Sequence, residues 1–241
     1  MSALQISYTE LASIIDHTLL KAEATSGQIR RLCEEAKQYG FHAVFTNPRW
    51  TPVVADLLHG SQVAIGGVVS FPFGADFTKV KVAQAKELIF AGADEIDMVA
   101  DLAAIIEGDE RRLARQLEAV RKVCHSMRPK VLLKVIIEAA ALTTGQKIFA
   151  CQTADKVGAD FVKTSTGTHR AGGATVEDIK LMKEYAPHCK VKASGGIHTA
   201  KDALAMLEAG ADRIGTSSSV QIIEQFKIGL VSAKAEPERD K

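Results

Sequence analysis

Three lysines and one aspartate fall on matching faces of short apolar segments in this 241-residue chain. Side chains alternate between the two faces of a β-strand. In Glu95-Ile96-Asp97-Met98-Val99, alternation sets Ile96 and Met98 on one face and Glu95, Asp97 and Val99 on the other. Lys134 lies opposite Leu133 and Val135, Lys192 lies opposite Val191 and Ala193, and Lys163 shares a face with Phe161. With the apolar faces covered, Asp97, Lys134, Lys163 and Lys192 point together into one interior. Unpaired ions are costly to bury, so such residues form a network that fixes strand register, snorkel to solvent, or carry chemistry. Four of them near C-terminal strand ends favour chemistry. A neutral amine attacks a carbonyl carbon and forms a Schiff base. An ordinary lysine titrates near 10.4, so roughly one in 2,500 is neutral at pH 7. Burial and a second ammonium both lower that value, and a shift of about 3 units would bring it to neutrality. Lys163 and Lys192 supply an amine with a cationic neighbour.

Three glycine and hydroxyl clusters follow the last three apolar segments: Thr164-Ser165-Thr166-Gly167, Ser194-Gly195-Gly196 and Gly215-Thr216-Ser217-Ser218. Each alone reads as turn chemistry. Together they read as a phosphate cup, since the last cluster sits where a helix should start and free helix N–H groups bind anions.

The elements that must position these groups are marked by a repeated phrase. Ala91-Gly92-Ala93-Asp94, Val157-Gly158-Ala159-Asp160 and Ala209-Gly210-Ala211-Asp212 each close a helical pattern and open an apolar run; Tyr39-Gly40-Phe41-His42 takes the same place earlier. Strands are expected at 14–17, 43–46, 63–69, 95–99, 131–137, 161–163, 191–193 and 213–215. Helices are expected at 28–39, 78–90, 110–125, 145–157, 176–185 and 200–209, where apolar residues recur at three-to-four spacing. Thr175–Asp178 and Thr199–Asp202 resemble capping boxes. Alternation of this kind, eight times over, predicts a (β/α)8 TIM barrel of the α/β class. The runner-up, a doubly wound open sheet, lacks its Gly-x-Gly-x-x-Gly after the first strand. No linker interrupts the chain, so residues 1–241 read as a single barrel domain with a short charged tail from about 233.

Thirty basic against 29 acidic residues leave a formal charge of +1, which argues against nucleic acid as a partner. No run of apolar residues is long enough to span a membrane, and no signal peptide is visible. Cys33, Cys124, Cys151 and Cys189 have neither Cys-x-x-Cys nor zinc-ligand spacing and read as reduced thiols of a cytoplasmic protein. The seven histidines show no metal-ligand spacing either.

With these residues in view, the chain resembles the deoxyribose-phosphate aldolases, Schiff-base aldolases on a (β/α)8 barrel. The likeness runs from Ile15-Asp16-His17-Thr18-Leu19-Leu20-Lys21 to about Val220. It includes Phe71-Pro72-Phe73-Gly74, Leu133-Lys134-Val135-Ile136, Lys163-Thr164-Ser165-Thr166-Gly167 and Lys192-Ala193-Ser194-Gly195-Gly196-Ile197. The resemblance implies that Lys163 forms the Schiff base with 2-deoxy-D-ribose 5-phosphate, that Lys192 lowers the pKa of Lys163, and that Asp97 takes and returns protons. It implies that Asp16, Lys134 and Thr166 contact substrate hydroxyls or the relay. Gly167, Gly195, Gly196, Gly215, Ser217 and Ser218 would hold the phosphate. No metal and no cofactor is implied. The expected partners are a small phosphosugar, short aldehydes and, as barrels of this type often associate, further copies of the chain in a homo-oligomer. Departures from the family are Phe45 where Cys is common, Asp101 where Asn is common, Ser219 where Gly is common, a longer 167–173 loop with His169 and Arg170, and no terminal Tyr. They motivate two alternatives: a sugar-phosphate-binding barrel without catalysis, and an aldolase with a shifted aldehyde preference. A further alternative is a phosphosugar isomerase or synthase, a class that usually works without a lysine pair.

Overall fold

A computed structural model describes residues 6–235, with side chains to residue 229. The chain runs α1 (Tyr8–Ala12), β1 (Ile15–Leu19), α2 (Ser26–Tyr39), β2 (Ala43–Thr46), α3 (Thr51–Leu58), β3 (Ala64–Val69), α4 (Thr78–Phe90) and β4 (Glu95–Val99). It continues through α5 (Leu102–Glu107), α6 (Glu110–Ser126), β5 (Leu132–Ile136), α7 (Thr144–Val157), β6 (Phe161–Lys163), α8 (Val176–Tyr185), β7 (Lys190–Ser194), α9 (Ala200–Glu208), β8 (Arg213–Thr216) and α10 (Ser219–Ala235). The eight strands pair in parallel and in chain order, and β8 closes on β1. The expected barrel is present, with each strand within two residues of its expected bounds at either end.

Four helices carry little sequence signal. α1 and α5 are one to two turns long, too short for a period to show. α3 opens on Thr51-Pro52, with proline in its first turn where the missing N–H costs nothing. α10 follows the Ser217-Ser218 pair that marked a helix start, and runs on to Ala235. The charged tail expected from about 233 therefore begins inside a helix, and positions 236–241 lie outside the described residues.

The repeated Gly-Ala-Asp phrase has a mechanical meaning. Each aspartate stands just before a strand at the N-terminal end of the barrel and clamps one residue of the preceding strand twice. Asp94 donates its N–H to Ile65 O (2.7 Å) and accepts the Ile65 N–H on Oδ2 (2.9 Å). Asp160 does the same to Leu133 (3.0 and 2.9 Å) and Asp212 to Val191 (2.8 and 2.7 Å). Gly158, left-handed at φ +80, turns the chain out of α7 so that Asp160 can reach across. The fourth phrase differs: His42 donates its N–H to Ile15 O, but its ring turns toward Glu95.

Capping follows the expected pattern at α9, where Thr199 and Asp202 satisfy each other's backbone N–H groups. At α8 only half the box forms. Thr175 accepts from the Asp178 N–H, while the Asp178 carboxylate pairs with Lys147 at 2.5 Å.

The apolar core is a shell. Ile96, Met98, Leu133, Val135, Val162, Val191, Ala193 and Ile214 face outward and pack beneath the helices in one large cluster. Inside the strands the buried apolar cluster is only Ala43, Phe45 and Val68. The rest of the interior sets a layer of ions among a few further apolar side chains, Val99, Ile136 and Phe161.

Candidate active site

Asp97 stands at the centre of that interior, fully buried. Its Oδ1 accepts from Lys134 Nζ at 3.0 Å. Its Oδ2 accepts from two lysines, Lys163 Nζ at 2.8 Å and Lys192 Nζ at 2.7 Å. Strand register brings them together: Asp97 is level with Lys134 across β4 and β5, and Lys163 is level with Lys192 across β6 and β7. The two amines that alternation placed on a common face converge on one oxygen.

A second carboxylate, Asp16 on β1, lies 2.5 Å from Lys192 Nζ and 2.8 Å from Arg213 Nη1. A third, Glu95, takes Lys134 at 2.5 Å, Arg213 at 3.2 Å and His42 Nε2 at 3.1 Å. The cluster thus sets three carboxylates (Asp16, Glu95, Asp97) against four basic side chains (Lys134, Lys163, Lys192, Arg213), leaving one positive charge in excess when all are ionised. Shedding one proton removes the imbalance.

The environments of the lysines differ. Burial pulls the Lys192 ammonium down to about 8; Asp16 and Asp97 oppose this, and the like charges of Lys163 and Lys134 reinforce it. Lys134 is equally buried, but Asp97, Glu95 and Asp16 overcome the cost and hold its proton more firmly than in an ordinary lysine. Asp97 would be raised by burial, yet Lys134, Lys163 and Lys192 keep it well below the usual carboxylate range. Glu95 is lowered against burial by Lys134, His42 and Arg213.

Above the cluster lies a cavity of about 260 Å³. Lys163 reaches its floor, and Thr18, Lys21, Thr166, Gly167, Gly195, Gly196, His198, Gly215 and Ser217 are among its walls. Lys192, Asp97, Asp16 and Lys134 sit beneath and do not line it. Of the residues expected to contact substrate hydroxyls or the relay, Asp16 and Lys134 belong to the buried ionic layer. Thr166 reaches the cavity, but its hydroxyl donates to Glu138 Oε2 at 2.6 Å. Five residues of the expected phosphate cup line the wall; Ser218 does not, and its hydroxyl lies 3.2 Å from His198 Nδ1. His169 and Arg170 are exposed on a loop that folds back on Gly195, where Ala174 donates to Gly195 O at 3.0 Å. A Cβ on Gly173 would lie 2.2 Å from that same oxygen, so the approach needs glycine. Gly215 has a second role: a Cβ there would lie 2.9 Å from Lys192 Cε. A larger groove of about 630 Å³ between α3 and α4 contains none of these strand-borne ions.

Sequence reasoning missed Arg213, Glu138 and the part played by Glu95. Alternation alone would have placed Arg213, which shares a face with Gly215. Glu138 had no such signal. It sits just past β5 with a left-handed backbone (φ +54), and its carboxylate accepts the Thr166 N–H at 3.1 Å, holding the wall of the cavity.

The chain matches the model of the DeoC/LacD family aldolases over residues 11–235. It is 52% identical over 220 residues to a deoxyribose-phosphate aldolase of Aciduliprofundum boonei, covering 91% of this chain and 98% of the relative. It is 50% identical to one from a Geobacillus species, covering 89% and 95%. Among solved structures it resembles a putative deoxyribose-phosphate aldolase from Coccidioides immitis (TM-score 0.88, 37% identity, 92% and 87% coverage). It also resembles the deoxyribose phosphate aldolase of Aeropyrum pernix, described as tetrameric (TM-score 0.85, 34% identity, 92% of both chains).

Proposed function

Given that the chain belongs to the DeoC/LacD family of aldolases, we propose that it cleaves 2-deoxy-D-ribose 5-phosphate reversibly to acetaldehyde and D-glyceraldehyde 3-phosphate, through a Schiff base on Lys163. The observation that carries this reading is the meeting of Lys163 and Lys192 on one oxygen of Asp97, under a cavity walled by glycine and hydroxyl residues.

Lys163 is the nucleophile because it alone of the three lysines reaches the cavity. Asp97 Oδ2 touches both nitrogens, so a proton leaving Lys163 has a path to Lys192 when Lys192 is neutral. The neutral Lys163 amine adds to C1 of the open-chain sugar. The carbinolamine hydroxyl leaves as water with a proton from Lys192, giving the iminium. Electrons of the C2–C3 bond then flow into the iminium as the C3 hydroxyl gives up its proton to the Asp97–Lys192 pair. Glyceraldehyde 3-phosphate departs, and the enamine left on Lys163 holds two carbons. Protonation at C2 and addition of water release acetaldehyde and restore the amine. Asp97 stays an anion at rest, which suits it to pass protons between two nitrogens. The backbone of Gly167, Gly195 and Gly196, with Gly215 and Ser217, holds the phosphate at the far wall, close to the N-terminal end of α10.

Borohydride added with deoxyribose 5-phosphate should attach a reduced adduct to the Lys163 peptide alone, read by mass. Folded protein that releases acetaldehyde without such an adduct would overturn the reading. The proposal extends to cytoplasmic residence, which four free, buried cysteines suit, and to association of copies, to be measured by sedimentation. Among the described residues no helix is long and apolar enough to cross a membrane.

A further inference from the structure

Two aromatic rings border the ionic cluster: Phe161, on β6, lies 5.7 Å from Lys134 Nζ and 5.4 Å from Arg213 Cζ, and Phe45 comes closer. Phe45, on β2, is 1% exposed. Its ring centroid is 3.8 Å from Lys192 Nζ and 4.4 Å from Lys134 Nζ. Both distances are well within the range over which an ammonium is attracted to the negative face of a π-system, and the attraction grows when water is excluded. The ring is held in place from behind. Its tip lies against Gly66, its register partner on β3, where a Cβ would be 2.3 Å from Phe45 Cζ. A glycine at position 66 is what lets a ring of this size stand under the lysines.

The other groups facing Lys192 are ions: Asp16 from β1, Asp97 from β4, Lys134 from β5 and Lys163 from β6, with Arg213 and Glu95 behind them. The carboxylates pull the Lys192 ammonium toward β1 and β4. The neighbouring cations and burial favour loss of its proton. Among the neutral side chains, the Phe45 ring is the one seen to approach both Lys192 and Lys134 face-on, and an aliphatic side chain of equal bulk would offer neither ammonium an attraction.

We propose that Phe45 is a positioning residue of the aldolase: its ring holds the Lys192 ammonium in line with Asp97 Oδ2 and sets how firmly Lys192 keeps the proton it exchanges with Lys163. The inference rests on the Schiff-base reading above, since it concerns the partner of the nucleophile. Phe45 touches no substrate and acts only through Lys192.

The test is a series in which Phe45 is replaced by 4-fluoro-, 3,5-difluoro- and 3,4,5-trifluorophenylalanine, which keep the ring's shape while draining its face of negative charge. Two quantities are read on each protein: the titration midpoint of Lys192 by NMR of lysine labelled at 13Cε, assigned by its loss in Lys192→Met, and borohydride trapping at Lys163. The midpoint should fall stepwise with each fluorine, by about one pH unit across the series. The basic ionisation in the pH profile of kcat/KM should move with it. Phe45→Leu should move both in the same direction, and if that variant does not fold the fluorinated series carries the test alone. A Lys192 midpoint unchanged across the series, with trapping intact, would overturn the role of Phe45 and leave the Schiff base standing. Absence of trapping in the unsubstituted protein would overturn the Schiff base, while the NMR midpoints still decide whether the ring acts on Lys192.

Discussion

Both ends of this barrel are lined with aspartates, and they serve opposite purposes. At the N-terminal end, Asp94, Asp160 and Asp212 each accept a backbone N–H from the preceding strand. The groups are partly in water, and the pairing is the same three times over. In the ionic interior that leads to the C-terminal end, Asp16 and Asp97 are fully buried, accept from lysine and arginine, and are outnumbered by them. A backbone amide can never change its charge, so each clamp keeps its donor and lasts as long as its carboxylate stays ionised; against burial, the Leu133 N–H, Lys130 and His125 hold Asp160 below the usual carboxylate range. An ammonium can lose its proton, so the buried cluster stores a choice of charge states. The repeated aspartate belongs to the architecture, and the buried pair is the one that the proposed mechanism draws on.

Removing the proposed nucleophile draws this contrast most sharply. Lys163→Ala should lower acetaldehyde release by at least about 10⁴-fold while leaving the thermal unfolding transition close to that of the parent, since it removes an ion from a cluster with a positive excess. Asp97→Asn comes next. The amide cannot take three ammonium ions, and turnover should fall by about 10²- to 10⁴-fold, with slowed trapping at Lys163 by borohydride. A variant of either kind that unfolded without losing turnover per folded molecule would reduce the ionic cluster to a second register device.

The effect of pH on stability separates the two ends again. Lys192 titrates at about 8 in the folded protein. In the unfolded chain it should titrate near the ordinary lysine value of about 10.4. Below about 8 both states hold the proton, and the folded state bears the full cost of a buried ammonium. Between about 8 and 10.4 the unfolded chain binds more protons than the folded one, so stability rises with pH in that window. Lys134 runs the other way: its proton is held more firmly when folded, so its contribution is complete below about 10.4 and fades above. Lys81, on the buried face of α4 and also lowered to about 8 by burial, shares the sign of Lys192. Comparing urea unfolding at pH 7.5 and 9.5 for the parent and Lys192→Met isolates Lys192. The parent should gain on the order of 2 kcal/mol more than the variant over that interval. Equal gains in the two proteins would remove Lys192 as the source of this linkage.

Strand alternation was enough to bring Asp97, Lys134, Lys163 and Lys192 to one interior, because an ion on an otherwise apolar segment stands out and a period of two decides its face. Depth was not legible. Whether an inward residue reaches the cavity or lies under it depends on stagger between strands, and so alternation could not say that Asp16 and Lys134, expected at substrate hydroxyls or the relay, lie in the layer beneath the cavity. Arg213 was within reach of the same alternation, sharing a face with Gly215, but it stands at the entrance of its strand, away from the C-terminal ends where chemistry is expected. Phe45 drew attention only as a departure from the family; an apolar residue in an apolar strand says nothing of the cations beneath which it will lie. Glu138 works through a left-handed turn that no local pattern announces. The fold was more legible than the site, since helices and strands are local periods and an ion cluster is assembled from six strands.

The smallest predicted effect comes from making the Asp97 substitution at the other end. Asp212→Asn keeps an oxygen that can accept the Val191 N–H, and the backbone half of the clamp, Asp212 N–H to Val191 O, is untouched. What it loses is charge: the ion pair with Lys183 at 3.1 Å, between side chains 41% and 33% exposed, is screened by water. The loss should be under about 1 kcal/mol by urea unfolding, with turnover unchanged. Asp212→Ala removes the acceptor as well and leaves the Val191 N–H without it at the strand entrance, so its cost should rise to about 1–3 kcal/mol. Two variants that destabilise equally would mean that charge, and not the geometry of a two-point clamp, holds the N-terminal end together. Were Asp212→Asn instead to slow turnover as Asp97→Asn does, the division of the barrel into a fixed end and a chargeable one would fail.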